Sequence, residues 1–327
     1  MAAGSTVAEL KVGILSGDRG ALSRAITLAE SSRPEDQTKA QELIAELLPK
    51  TGGSARVGLT GVPGAGKSTT IEALGLWLVE RGKKVAVLTI DPSSARTGGS
   101  ILGDKTRMQN LSVSEDAYIR PSPTGGVLGG VARRTREAIL LCEAAGYDVV
   151  LVESVGVGQS ESELADLVDT LCLLLVPGTG DELQGIKRGI METADVVVVN
   201  KADGERVNLA KRARGDFRQA IHMLPPSTPG WETPVLTASA LEGTGLAEIW
   251  DAVEGHREVL AESGLLDERR SHQKRVWLDS MIEEAALRSF FDRAGVAEAV
   301  ESARAAVEAG EKTVPEAVLD ILGAAGR

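Results

Sequence analysis

Gly61-Val62-Pro63-Gly64-Ala65-Gly66-Lys67-Ser68 fills the pattern G-x-x-x-x-G-K-[ST] without a mismatch, and its flanks give that match its meaning. Before it, Arg56-Val57-Gly58-Leu59-Thr60 reads as a short buried strand; after it, Ser68 to Glu80 sets Ile71, Leu74, Leu78 and Val79 at helical spacing. Strand, loop and helix in that order is the context a phosphate-binding loop requires. The glycines let successive backbone N–H groups converge on a phosphate, and the helix N-terminus adds its partial positive charge. On this reading Gly61, Pro63, Gly64, Ala65, Gly66 and Thr69 frame a nucleotide. Lys67 holds the β- and γ-phosphate oxygens, and the Ser68 hydroxyl ligates Mg²⁺.

Working outward, five further strand-like runs follow: Val85 to Ile90, Asp148 to Val152, Leu171 to Val176, Val196 to Val199 and Pro234 to Thr237. They are continuous and rich in Val and Leu, as strands covered on both faces are. The pattern predicts an α/β fold with a largely parallel, doubly wound sheet. Residues 7–49 carry helical spacing, with Asp18 a candidate N-cap and Pro34 in a first helical turn. From about Leu265 onward strands give way to helices. The expected organisation is an N-terminal helical extension over 1–53, a nucleotide-binding domain over 54–262 and a C-terminal helical segment over 263–327. The stretch from Asp91 to Thr124 holds few strand or helix signals and reads as a long functional or mobile loop.

The formal charge of −11, without a long basic run, argues against a nucleic-acid-binding surface. Cys142 and Cys172 sit in apolar surroundings and read as buried free thiols, which fits a reducing cytosol. No signal peptide is apparent in Met1 to Leu15, and no apolar run approaches the roughly 18 residues of a membrane span. The expectation is a cytoplasmic protein with no membrane partner.

A phosphate loop alone does not choose between adenine and guanine nucleotides. Asn200-Lys201-Ala202-Asp203, directly after a strand, resembles the guanine-reading N-K-x-D of G proteins. A carboxylate at Asp203 can accept from both N1–H and the exocyclic amine of guanine, whereas adenine leaves it unpaired. Lys201 is expected to lie over the base and Asn200 to brace neighbouring loops. Ser239-Ala240-Leu241 follows the next strand, and the Ala240 N–H is the candidate contact to guanine O6. Glu153 closes another strand and opens Glu153-Ser154-Val155-Gly156-Val157-Gly158-Gln159. Its carboxylate matches a position that holds Mg²⁺ through water, and Gly156 matches the glycine whose N–H meets the γ-phosphate. In Ras-like proteins a glutamine follows that glycine and orients water; Val157 cannot, so intrinsic hydrolysis is expected to be slow. Asp91 and Asp104 are candidates for the metal and water shell, with a turn-cap role open for Asp91. Pro177 to Lys187 reads either as a third mobile loop or as a Gly-rich turn into a short helix.

Taken together, G-V-P-G-A-G-K-S-T, V-L-T-I-D-P-S-S, G-D-K-T-R-M, V-E-S-V-G-V-G-Q-S-E, P-G-T-G-D-E-L-Q-G-I-K and N-K-A-D, in that order, resemble the MeaB family, also called ArgK or LAO/AO transport kinases. These are G-protein chaperones of adenosylcobalamin-dependent methylmalonyl-CoA mutase. The resemblance implies a SIMIBI-type P-loop core with N-terminal helices and a C-terminal dimerisation arm, hence a homodimer. It implies GTP hydrolysis to GDP with Mg²⁺, stimulated by the mutase, and a chaperone that gates cofactor loading and protects the mutase; an adenosyltransferase is a further possible partner. Carried onto this chain, Lys67 and Ser68 bind phosphate and metal, and Asp91, Asp104 and Glu153 form the metal and water shell. Asn200, Lys201 and Asp203 read guanine, and Lys187 is a candidate for completing the active site.

Three other readings compete. A transport ATPase or kinase for basic amino acids conflicts with the guanine motif, and a nickel-insertion protein needs soft or imidazole ligands at close spacing. A MinD-like ATPase carries lysine after the first loop glycine, where this chain has Val62.

Overall fold

The computed structural model describes residues 5–91, 108–123, 130–154, 160–178 and 188–325. The chain divides into two compact units, 1–273 and 274–327. The first opens with three helices, α1 (Val7–Leu15), α2 (Arg19–Glu30) and α3 (Pro34–Leu47). Thr6 and Glu9 form a capping box on α1, Asp18 caps α2 by accepting from Gly20 N–H, and Pro34 starts α3, where its missing N–H is harmless.

Among the described residues seven strands follow, β1 (Ala55–Gly61), β2 (Val85–Asp91), β3 (Ala117–Pro123), β4 (Val149–Glu153), β5 (Thr170–Leu175), β6 (Val196–Val199) and β7 (Val235–Thr237). All pair in parallel, in the order β3-β2-β4-β1-β5-β6-β7. The connections between them carry α4 (Lys67–Val79), α5 (Gln109–Val113), α6 (Gly130–Ala144), α7 (Ser160–Ala165), α8 (Arg188–Thr193) and α9 (Val207–His222); α10 (Leu246–Glu262) follows β7. The sheet is therefore the parallel α/β architecture that the Val- and Leu-rich runs predict.

Alternation along each strand splits the core. Ala86, Leu88, Val150 and Val152 face a layer built with Leu10, Ile14, Leu22, Ile26 and Leu43, so the N-terminal helices share a core with the sheet. Val85, Val87, Leu151 and Leu59 face the opposite layer, where Ile71, Leu74 and Leu78 of α4 and Trp250 and Val253 of α10 pack. At the far edge Phe217 and Ile221 of α9 cover Val197 and Val199.

Strand β3 departs from the sequence expectation, because Ala117 to Pro123 lies in the stretch read as loop. Its two prolines and Arg120 hide the strand signal, yet β3 is an edge strand, where a missing donor is tolerated. Arg120 pairs with Glu30 and pins this edge to α2.

The amino-terminal ends of the strands carry buried charge. Arg56 donates to both oxygens of Glu143 at 2.8 Å, and Arg270 to both oxygens of Asp169 at 2.9 and 2.7 Å. Asp195 accepts from Leu171 N–H, Ser227 and Arg269. Arg269 and Arg270 belong to α11 (Leu265–Phe291), whose first turns thereby fasten beneath the sheet. The second unit holds the remainder of α11 with α12 (Val296–Glu308) and α13 (Val314–Ala325); Leu278, Ile282, Leu287, Val318, Leu319 and Leu322 are exposed on it.

Candidate functional site

The phosphate loop leaves the carboxyl end of β1, the central strand, where the chain crosses from one side of the sheet to the other. Ligands of open α/β sheets bind at such a crossing. Gly61 has φ +145°, and a Cβ there would lie 2.2 Å from the Leu174 carbonyl oxygen. Only glycine lets β1 pass β5 so closely while it turns into the loop. The turn closes with Ala65 N–H donating to the Val62 carbonyl at 3.1 Å. Pro63 and Gly64 are exposed at its tip, and Ala65 is buried beneath it. Gly66, at φ +89°, is the N-cap of α4.

Lys67 is buried, and its Nζ donates to the carbonyls of Gly61 at 2.7 Å and Val62 at 3.3 Å, which holds the ammonium at the loop. Ser68 is half-buried and donates to Glu153 Oε1 at 2.7 Å; Thr69, next along α4, is exposed. Glu153 ends β4 level with Leu59 of β1 and Thr89 of β2, so the backbone of Asp91 lies two residues further along the neighbouring strand. A hydroxyl and a carboxylate side by side at a phosphate loop are hard oxygen donors, and this set fits Mg²⁺, which takes one or two carboxylates and completes its shell with water and phosphate.

The residues expected to read a base are joined to the loop. Asn200 is buried; its Nδ2 donates to the Ala65 carbonyl at 2.8 Å and to Thr70 Oγ1 at 3.2 Å, and its Oδ1 accepts from Ala240 N–H at 3.3 Å. The bracing expected of Asn200 is thus present. The Ala240 N–H, expected to face a base oxygen, is engaged by that amide. Ser239 donates to Asp203 Oδ2 at 2.6 Å, fixing the carboxylate, and Lys201 stands in the left-handed region at φ +58°. Its Cε comes within 3.9 Å of where a Gly66 Cβ would be, so the side chain reaches across the phosphate loop. Leu241 is 82% exposed and points to solvent.

The structure therefore brings together Gly61 to Thr69, Glu153, Asn200, Lys201, Asp203, Ser239 and Ala240. Asp104, Gly156, Val157 and Lys187 lie outside the described residues, as does the side chain of Asp91. Three further residues hold the site together in roles that the sequence does not announce. Thr70 receives the Asn200 amide, and the buried Ser154 hydroxyl donates to Thr60 Oγ1 at 2.9 Å, tying the segment after β4 to the end of β1. These roles depend on contacts between residues remote in sequence, which no local pattern reports.

Phosphate loop and base-reading loops are one hydrogen-bonded body on a parallel sheet, and a chain built this way is a P-loop protein of the G-protein class. The family described as methylmalonyl-CoA mutase-associated GTPase MeaB matches residues 22–294, and the chain belongs to that family. It is 54% identical over 317 residues to a probable GTPase of Mycobacterium bovis, covering 97% of this chain and 94% of the relative. It is 48% identical to the GTPase ArgK of Escherichia coli, over 88% of this chain and 87% of that one. A mouse relative, the mitochondrial methylmalonic aciduria type A homolog, is 47% identical over 87% of this chain and 71% of its own. A crystal structure described as LAO/AO transport system kinase superposes with a TM-score of 0.76 at 37% identity, covering 99% of this chain and 98% of that one.

Proposed function

We propose that this chain hydrolyses GTP to GDP and phosphate and uses that cycle as a chaperone of adenosylcobalamin-dependent methylmalonyl-CoA mutase, gating cofactor loading and protecting the enzyme. The observation that carries the reading is the Asn200 amide, which couples the phosphate loop to the loop that holds Asp203. Association with methylmalonyl-CoA mutase is the property by which the family is described. The competing transport-kinase reading gains nothing from the described residues, among which no helix is long and apolar enough to cross a membrane.

In this reading the loop N–H groups and the Lys67 ammonium neutralise the β- and γ-phosphate oxygens as charge builds on them. Asp203, held by Ser239, accepts from the guanine N1–H and amine, and Lys201 covers the base. Ser68 and Glu153, with Asp91 and Asp104, would hold Mg²⁺, which would supply charge neutralisation to the phosphates. Gly156 is the candidate for the N–H contact to the γ-phosphate and Lys187 the candidate for completing the site; both lie outside the described residues. Val157 stands where a water-orienting glutamine would be, so chain and partner together make the fast enzyme. The domain division at residues 53 and 262, a homodimer formed through the C-terminal helices, a cytoplasmic location and contact with an adenosyltransferase complete the proposal.

Calorimetric titration with GDP and ADP in the presence of Mg²⁺ tests the base reading. Guanine is expected to be preferred on the order of 10²-fold or more, because adenine would leave the Asp203 carboxylate unpaired. Equal affinities would refute it.

A further inference from the structure

We infer that the outer face of α9 is a docking surface for an acidic patch on the mutase; this rests on the mutase partnership proposed above. Between Arg206 and His222 the chain carries Arg206, Lys211, Arg212, Arg214 and Arg218 against the single carboxylate Asp216, whereas the whole chain has a formal charge of −11. All five cations are exposed. Among the described residues Arg206, Lys211, Arg212 and Arg218 stand in no ion pair; Arg214 donates from Nε to the Val235 carbonyl at 2.9 Å, and His222 faces Glu232 at 3.8 Å.

The arrangement works against the helix that carries it. Lys211 and Arg218 share one row with His222, and Arg214 is within one turn of both Lys211 and Arg218, so like charges are neighbours. No acidic residue occupies the first turn and, among the described residues, no side chain caps the helix, although its N-terminus favours negative charge. The opposite face is apolar and sealed, with Ala210, Ala213, Phe217 and Ile221 in the core, so the basic face is neither a packing requirement nor a helix-stabilising pattern. Among the described residues no carboxylate pairs with these cations, so the face is open to an acidic partner. Exposed Leu209 and Met223 stand at the two ends of the face, and mixed apolar and cationic surface suits a protein partner. Nucleic acid would meet the same five cations but also the repulsion of an acidic chain.

The placement gives docking here a consequence. The helix begins four residues after Asp203, joined by the short turn Gly204–Arg206. Leu209 packs over Gly178, so closely that a Cβ on Gly178 would sit 2.8 Å from Leu209 Cδ2. Gly178 is the last described residue before the family-specific stretch 179–187. A partner seated on α9 therefore touches the root of the base-reading loop and of that stretch together.

The test compares wild-type protein with the double variant Lys211→Glu/Arg218→Glu and with Lys39→Glu/Lys50→Glu, which reverses two exposed cations on the N-terminal helical layer. Unstimulated GTP hydrolysis and thermal stability serve as folding checks and are expected to stay at wild-type levels in both variants. Affinity for purified mutase, and the salt dependence of that affinity, are then measured by surface-immobilised binding. The α9 variant is expected to bind about tenfold or more weakly with a flattened salt dependence, and the other variant like wild type. Wild-type affinity in the α9 variant overturns the surface while leaving the proposed function standing; no binding by wild-type protein overturns both. RNA or DNA binding that only the α9 variant loses, with mutase binding intact, assigns the face to a polyanion and overturns the inference as well.

Discussion

Asn200 donates to Ala65 and Thr70 and accepts from Ala240, so one side-chain amide fixes the distance between the phosphate loop and the base-reading loops. Gly66 makes that approach possible. A Cβ on Gly66 would stand 2.6 Å from Asn200 Nδ2, on a backbone already at φ +89°. Gly66→Ala is therefore expected to cost about 1–3 kcal/mol of strain and to weaken GDP binding, because the amide must leave Ala65. A variant with wild-type melting temperature and GDP affinity would show that the junction is slack. In the proposed function, specificity rests on Asp203, whose carboxylate Ser239 orients at 2.6 Å. Asp203→Asn replaces an acceptor facing the guanine amine with a group that can donate. Competition binding is expected to show loss of GTP by a factor of about 10² or more and a gain for xanthosine triphosphate, which carries a carbonyl in place of that amine. Retained GTP preference would place base recognition elsewhere. At this scale the sequence was informative where a residue's task is local, as in Gly61 to Ser68 and Asn200 to Asp203. It was silent on Thr70 and on the Thr60 and Ser154 pair, whose partners come from distant strands.

The elements show the same division. The six runs legible as strands are apolar because both faces are covered, while β3 carries no such pattern because an edge strand tolerates Pro121, Pro123 and Arg120. Nor does any pattern announce that α10 and α11 bring His256, Arg269 and Arg270 beneath the sheet. His256 is fully buried between Thr170 at 2.9 Å and Thr228 at 3.0 Å, and burial pushes its imidazole down to about 4 from an ordinary value of 6.5. The nearby Asp195 carboxylate opposes that shift without reversing it, and the Arg269 guanidinium adds to it. The folded chain thus keeps His256 neutral where the unfolded chain takes up a proton. Stability from this group is full above about pH 6.5 and falls as pH drops toward 4. Urea unfolding is expected to show wild type roughly 2 kcal/mol less stable at about pH 5 than at about pH 7.5, with His256→Gln losing much less over the same span. Equal pH dependence in the two proteins would mean that the imidazole is not held neutral.

In the whole molecule, a nucleotide site at the carboxyl ends of the strands and a charged clamp at their amino ends share one compact unit, residues 1–273. The continuous apolar strands made the parallel architecture legible, and the order of the motifs made the family legible. The shared core of the N-terminal helices and the sheet was not, since helical spacing shows that a face is buried and not what buries it. On the proposed function, a guanine-selective phosphate loop turns over slowly until the mutase engages it. GTP and ATP hydrolysis measured with and without purified adenosylcobalamin-dependent methylmalonyl-CoA mutase tests that claim most directly. Slow hydrolysis of GTP alone, marked acceleration on adding the mutase, and little turnover of ATP in either case are expected; ATP turned over as fast as GTP, or a GTP rate unchanged by the mutase, would refute the proposed function.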